Sequence, residues 1–278
     1  MKLPNFVVAG FAKCGTTSLY HYLYEHPEIF LPKRKELHYF TYEPILKNKS
    51  KGPGDSEMHA FHVKSFDDYK SFYSEADSFP AVGDISPTYA NYSEGLKGVK
   101  SALGKSTKVV LILREPIDRM YSNYLHLVRE GREKLSFEDA LKEEDKRFEA
   151  GFSNFWRYKF TSFYYKKIKE VKDNFDDVFI LTFEDFVANR ERRIKELYSF
   201  LGVDESYLPE NLNFQFNAGG VYKQNFLTKL IFHRGKLNSF LKKIIPLNST
   251  VKILAGKVTN LWKVKTPEID KTLERKLI

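Results

Sequence analysis

The chain has 278 residues, 42% apolar and 29% charged, which fits one large α/β domain or two small ones with an ample core. Its 24 Phe and 17 Tyr exclude a solvated coil, and its single cysteine, Cys14, excludes an intrachain disulfide framework and a cysteine-built zinc site. The net charge of +9 is concentrated: residues 221–278 hold 13 Lys/Arg against three Asp/Glu, so the rest of the chain is close to neutral. That excess suits a polyanion, a membrane surface or an anionic cofactor, or else a plain solvated basic face.

In chain order, residues 5–10 (NFVVAG) read as a buried strand and TTSLYHYLYE, residues 16–25, as a helix with hydroxyl residues at its start. Residues 27–80 have weak periodicity and read as a long irregular excursion that shapes an acceptor cleft. AVGDIS (81–86) is a second strand, and KVVLIL (108–113) a third, closed by Arg114-Glu115-Pro116, where Pro116 suits the first turn of a helix. SFEDALKEE (136–144) has a capped helix start. A Tyr- and Lys-rich helix is expected over 160–172, a strand over 177–186, and a helix over 191–201 with a glycine stop. There is no internal repeat. The alternation predicts an α/β fold, a parallel sheet flanked by helices, in a single domain over 1–278. Ligands in such sheets bind beyond the carboxyl ends of the strands.

No run approaches ~18 consecutive apolar residues, so no spanning helix is expected. The short N-terminal apolar run meets Lys13 and no small-residue cleavage site, so it reads as a strand rather than a signal peptide, and a cytoplasmic location is the expectation. KLIFHRGKLNSFLKKIIP, in the basic C-terminal helical region, reads as a packing helix with snorkelling lysines ahead of a weak membrane-surface contact. No nucleic-acid partner is expected.

The first strand–helix loop runs Gly10-Phe11-Ala12-Lys13-Cys14-Gly15-Thr16-Thr17-Ser18. A loop that leaves a strand and opens a helix aims backbone N–H groups and the positive helix end at one point, which is an anion site. Gly10 and Gly15 have Walker A spacing, but Thr16 stands where the nucleotidase lysine belongs, and the lysine is instead Lys13 inside the loop. An ATPase or GTPase is therefore disfavoured; an ordinary strand–helix turn is the bland alternative. A second loop places Arg114 at a strand end and Ser122 two helical turns on, a fork and a hydroxyl suited to another phosphate. An Arg114–carboxylate pair beside a surface serine would look the same.

Together these motifs resemble the sulfotransferases that use 3′-phosphoadenosine 5′-phosphosulfate (PAPS), with REPIDRMYSNYLH closest to the heparan sulfate N-/O-sulfotransferase branch and its bacterial relatives. KELHYF, GDISPTY and FILTFEDF extend the likeness over about residues 5–225. The resemblance implies a P-loop-like core that binds PAPS and its product PAP (3′-phosphoadenosine 5′-phosphate), with no metal. It implies that Lys13 contacts the leaving phosphate and the transferred sulfuryl group. The loop of Lys13, Cys14, Gly15, Thr16, Thr17 and Ser18 would bind the 5′-phosphate, and Arg114 and Ser122 the 3′-phosphate. Glu36 matches the catalytic base of the glycan branch, His38 a neighbouring polar residue of that site, His126 a histidine four residues after the family serine, and Lys223 a basic loop over the nucleotide. Departures are Thr41, where the glycosaminoglycan enzymes carry an acid, and Asp84-Ile85-Ser86-Pro87, where they often have a lysine. Both weaken a glycosaminoglycan acceptor and leave the nucleotide motifs untouched.

His59-x-x-His62 has metal spacing but no third ligand follows, and no metal is expected. The aromatic clusters at 158–165 read as helix core, and Asp67-Asp68 and Glu143-Glu144-Asp145 as solvated faces. The expected activity is in-line transfer of a sulfuryl group from PAPS to a hydroxyl, or an amine, of a carbohydrate or small metabolite. The alternatives are a non-catalytic nucleotide- or polyanion-binding module, against which Lys13 and Glu36 argue, and a P-loop kinase.

Overall fold

The computed structural model describes residues 1–46 and 49–214, together with Phe216, Val221–Tyr222, Lys263–Val264 and Ile269. The chain opens with β1 (Phe6–Gly10) and α1 (Thr16–Glu25). Then come β2 (Ile29–Phe30), α2 (Tyr39–Leu46), α3 (Asp55–His59), α4 (Phe66–Ser71) and β3 (Ala81–Ile85). The second half runs α5 (Ser93–Leu103), β4 (Lys108–Leu113), α6 (Pro116–Arg129), α7 (Phe137–Glu149), α8 (Tyr158–Ser162) and α9 (Tyr165–Asn174). It continues with β5 (Val178–Thr182), α10 (Phe183–Ala188) and α11 (Arg190–Leu201), before the short antiparallel pair β6 (Val221–Tyr222) and β7 (Lys263–Val264).

The main sheet is parallel throughout, in the order β2-β3-β1-β4-β5. Every residue of β1 and β3 and the four central residues of β4 are buried, as expected for strands covered on both faces, which is why FVVAG and the VVLI of β4 read as unbroken apolar runs. The chain leaves β1 toward β2 on one side and leaves β4 toward β5 on the other. The connection therefore reverses between β1 and β4, and a crevice opens beyond their carboxyl ends. Both anticipated anion loops leave those two strands. Register slips between Val8 and Gly10, where the Phe11 N–H takes the Ile112 carbonyl at 2.9 Å.

Several expectations need correction. Residues 27–80 contain an edge strand and three short helices rather than an irregular excursion. They are pinned by the fully buried Asp55, whose carboxylate accepts from Gly52 N–H (3.0 Å), Ser153 N–H (2.9 Å), Ser153 Oγ (2.9 Å), Trp156 Nε1 (3.1 Å) and Arg132 (2.7 Å). The helix expected over 160–172 is broken between α8 and α9, where Lys167 Nζ donates to the Phe163 carbonyl at 2.9 Å. The strand expected over 177–186 stops at Thr182, and FEDF starts a helix with Glu184 and Asp185 in its first turn, where they suit the helix dipole. Glu144 is buried and accepts from the Lys159 N–H at 2.9 Å, while Phe163 and Tyr165 of the presumed aromatic core are exposed.

The cap at Ser136 is as anticipated, accepting from the Asp139 N–H at 3.2 Å. So is the left-handed glycine stop at Gly202. Among the described residues no helix is long and apolar enough to cross a membrane. Lys223 and nearly all of the basic C-terminal region lie outside the described residues.

Candidate active site

The first loop turns from β1 into α1 through two left-handed residues, Lys13 (φ 72°) and Gly15 (φ 94°). At Gly15 this is inexpensive, and a side chain is also excluded there: a Cβ would lie 2.9 Å from the Phe183 ring. At Lys13 it is a strained choice for a residue with a Cβ. Helix α1 then begins without a side-chain cap and without an acid in its first turn. The N–H groups of Thr16, Thr17 and Ser18 have no carbonyl behind them, so the helix start is open to an anion. Thr16 and Ser18 are buried and Thr17 half-buried, and Ser18 Oγ donates to the Phe216 carbonyl at 3.4 Å.

Cys14 departs from its expected role as a ligand of the nucleotide. Its N–H is taken by the Phe11 carbonyl at 3.3 Å, and its fully buried Sγ lies 3.8 Å from the Ala12 carbonyl and 3.9 Å from the Tyr164 hydroxyl. Burial pushes the thiol up to about 11. Cys14 therefore packs the loop and offers an anion no donor.

Lys13 sits among competing charges. Burial lowers its ammonium to about 7, Arg129 and Arg119 push the same way, and Glu130 and Glu36 oppose them. Arg119, inside the anticipated second motif, is buried to 1% exposure and held by two neutral hydroxyls, Thr161 Oγ1 at 2.8 Å and Ser162 Oγ at 2.9 Å. Its Nε has no hydrogen-bond partner among the described residues. Buried cations held without a carboxylate are costly, and a bound anion is the compensation this arrangement fits.

Arg114 leaves β4 and lays its guanidinium over the Phe183 ring, 5.0 Å from the centroid. Its terminal nitrogen is 3.8 Å from Asp118 Oδ2, so the carboxylate pair foreseen as the bland alternative is present but long. Its buried Nε has no partner among the described residues, which leaves part of the fork unspent. Ser122 is half-buried on α6, one turn beyond Asp118. His126 is a further turn on along the same face. Its Nδ1 accepts from Arg129 at 2.7 Å, and its Nε2 lies 3.6 Å from Glu130 Oε1. Arg129 and Glu130 are the charges that act on Lys13, so α6 carries the row Ser122–His126–Glu130 from the second loop toward the first.

The KELHYF segment returns to this crevice. Glu36 (φ 65°) and His38 (φ 53°) are both left-handed, and with Lys13 they are the non-glycine residues with positive φ among those described. The turn is anchored through the His38 N–H to Ser86 Oγ (3.1 Å) and the Leu37 carbonyl to the Val63 N–H (3.0 Å). Burial alone would raise the Glu36 carboxyl, but the Lys35 ammonium bonded to Oε1 and the His38 imidazole, 3.5 Å from Oε2, hold it well below the usual carboxylate range. Two further basic neighbours in the chain, Lys33 and Arg34, are exposed, and Arg34 lies over the Phe72 ring. His38 is buried, with Nδ1 2.8 Å from Thr88 Oγ1 and its ring 4.7 Å from that of His62. Among the described residues no group of three side chains could hold a metal ion.

The structure thus brings Lys13, Gly15, Thr16, Thr17, Ser18, Arg114, Ser122, His126, Glu36 and His38 to one end of the sheet. Phe183, Arg119, Arg129 and Thr88 were not anticipated. The first two had a signal, since Phe183 opens the FEDF segment and Arg119 lies within REPIDRMYS.

This geometry agrees with descent. The chain belongs to the sulfotransferase-domain family, which matches residues 3–225. A sulfotransferase structure from Alicyclobacillus acidocaldarius superposes with a TM-score of 0.72 at 32% identity, over 78% of this chain and 88% of that one. A membrane-associated sulfotransferase of Dictyostelium discoideum is 30% identical over 62% of this chain and 34% of its own. A mouse bifunctional heparan sulfate N-deacetylase/N-sulfotransferase is 32% identical over 45% of this chain and 13% of its own. The chain spans about a third or less of the length of these curated relatives.

Proposed function

We propose that the protein transfers the sulfuryl group of PAPS to a hydroxyl, or an amine, of a carbohydrate or small-molecule acceptor. The observation that carries this reading is the uncapped start of α1, with Lys13 in the loop before it and Glu36 on the segment that returns to the same crevice. Lys13 and Glu36 are both held in strained, left-handed backbone, and Glu36 is among the charges that act on Lys13. The residues fit the nucleotide: the open N–H groups of Thr16, Thr17 and Ser18 for the 5′-phosphate, and the unspent Arg114 fork with Ser122 for the 3′-phosphate. PAPS supplies the electrophilic sulfur.

The chain's own groups do the rest. Glu36 receives the acceptor proton as the acceptor oxygen bonds to sulfur. Lys13, recharged by the bound anion, holds the negative charge that grows on the phosphate oxygen as its bond to sulfur breaks. This is chiefly positioning and electrostatic stabilisation, as in phosphoryl transfer. A carbohydrate acceptor is supported by relatives such as mouse carbohydrate sulfotransferase 15, 24% identical over 53% of this chain.

The test is transfer of radiolabelled sulfate from PAPS to a panel of desulfated heparan, glycolipid and para-nitrophenol, alongside PAP binding. Transfer to one class with PAP as product is expected. PAP binding with no transfer to any class would favour a non-catalytic nucleotide-binding module, and ATP turnover a kinase.

A further inference from the structure

Behind Glu36 lies a chain of contacts whose proton count allows one direction. Thr41 Oγ1 is 3.2 Å from the His38 carbonyl, which can only accept, so the single Thr41 proton goes there. Thr88 Oγ1 is 3.0 Å from Thr41 Oγ1, and with the Thr41 proton spent, Thr88 must donate. His38 Nδ1 is 2.8 Å from Thr88 Oγ1, whose proton is now also spent, so the hydrogen in that contact belongs to the imidazole. All three bonds form together in no other way. Nδ1 is then the protonated nitrogen, and Nε2, 3.5 Å from Glu36 Oε2, is the one free to take or give a proton.

We propose that Thr41 and Thr88 are positioning residues that lock His38 as its Nδ1–H tautomer, making Glu36 and His38 a pair that shares one exchangeable proton through Nε2. This rests on the reading of Glu36 as the base. The proton taken from the acceptor by Glu36 passes to Nε2, leaving an imidazolium beside a carboxylate, and the pair resets by losing it to solvent.

Every neighbour of His38 is compatible with that role. The His62 ring packs on it, and burial drives His62 down to about 2, so it stays neutral. His59, behind His62, is also lowered by burial. Lys35 reaches Glu36 Oε1, on the oxygen away from His38, and the buried Asp84 is bonded by Ser86 (2.7 Å), Tyr89 (2.6 Å) and Tyr69 (3.0 Å). Ser86 in turn holds the His38 N–H, so the ring is fixed at both backbone and Nδ1. Thr41, a departure from the glycosaminoglycan enzymes, thereby acquires a function.

The test is the imidazole nitrogen spectrum of His38 in the PAP complex of the wild type, Thr88→Val and Thr88→Ser. It is paired with the pH profile of sulfate transfer to the acceptor panel. The wild type and Thr88→Ser should show His38 with hydrogen held on Nδ1, and Thr88→Val should lose that preference. Turnover in Thr88→Val should fall on the order of 10- to 100-fold with the PAPS KM little changed, and Ser should restore it. A wild-type His38 protonated on Nε2 alone, or a spectrum untouched by Thr88→Val, overturns the inference. A changed spectrum with unchanged turnover leaves the tautomer standing and overturns the catalytic role of the Glu36–His38 pair instead.

Discussion

Phe183 and Gly15 are packed so closely that a Cβ on the glycine would stand 2.9 Å from the ring, and the same ring carries the Arg114 guanidinium 5.0 Å from its centroid. One aromatic thus sets the spacing of the two loops expected to hold the ends of the nucleotide. PAP should stabilise the protein against heat by about 2.7 kcal/mol at 100 times its dissociation constant, and adenosine monophosphate much less, because it lacks the group that Arg114 would grip. Phe183→Ala should weaken PAP about tenfold through the lost guanidinium stacking. Arg114→Ala should erase the difference between the two ligands. Equal thermal shifts from both ligands in the wild type would dissociate Arg114 from the 3′-phosphate.

Lys13 predicts a proton linkage. Its ammonium is lowered to about 7 by burial in the free protein. Between that value and its ordinary 10.5 the unfolded chain binds the extra proton, so this group makes stability rise with pH across that window. A bound anion reverses the balance and recharges the lysine. PAP binding at about pH 8 should therefore take up close to one proton, and affinity should fall as pH rises. Calorimetry in buffers of different ionisation enthalpy measures this directly. Lys13→Met should abolish the uptake; uptake that persists in Lys13→Met assigns the linkage elsewhere.

Asp55 carries a stability prediction remote from the nucleotide. Its carboxylate is fully buried with five donors, one of them the buried Arg132. Asp55→Ala removes the nearer of the two carboxylates paired with Arg132, leaving Glu130 at 3.3 Å, and unties residues 49–62 from the α7–α8 connection. A loss of about 3–5 kcal/mol is expected in urea unfolding at unchanged slope. A loss below about 1 kcal/mol would mean that solvent and the existing Glu130 pair are enough for Arg132.

The parallel sheet was readable because its central strands are short apolar runs closed by glycine or arginine, and the anion loops follow them directly. β2, with two residues, is below the length at which any period can be seen. The overrun at FILTFEDF has the same root: apolar residues continue past Thr182, but Glu184 and Asp185 favour a helix start. Helix α5 was missed because Gly95 and Gly98 blunt its pattern, and the structure shows their use. A Cβ on Gly95 would stand 2.8 Å from Thr41, so the glycine lets α5 approach α2 closely. Glu36, His38 and Lys13 were legible only through family motifs. Their left-handed backbone is a tertiary property, imposed by partners such as Ser86 and Val63 that lie far along the chain. That Cys14 turns its side chain into the protein is likewise hidden in the sequence, because a loop does not reveal which way each side chain points.

The central claim is that Glu36 accepts the acceptor proton while the nucleotide is held elsewhere. Glu36→Gln keeps the shape of the side chain and removes the base. The decisive measurement is single-turnover sulfate transfer by Glu36→Gln with PAP affinity measured in parallel. Transfer should slow by about 10²–10⁴ with PAP affinity nearly unchanged. Transfer at close to the wild-type rate would show that the carboxylate serves only its ion pair with Lys35 and its contact with His38, and the assignment of Glu36 as base would fall.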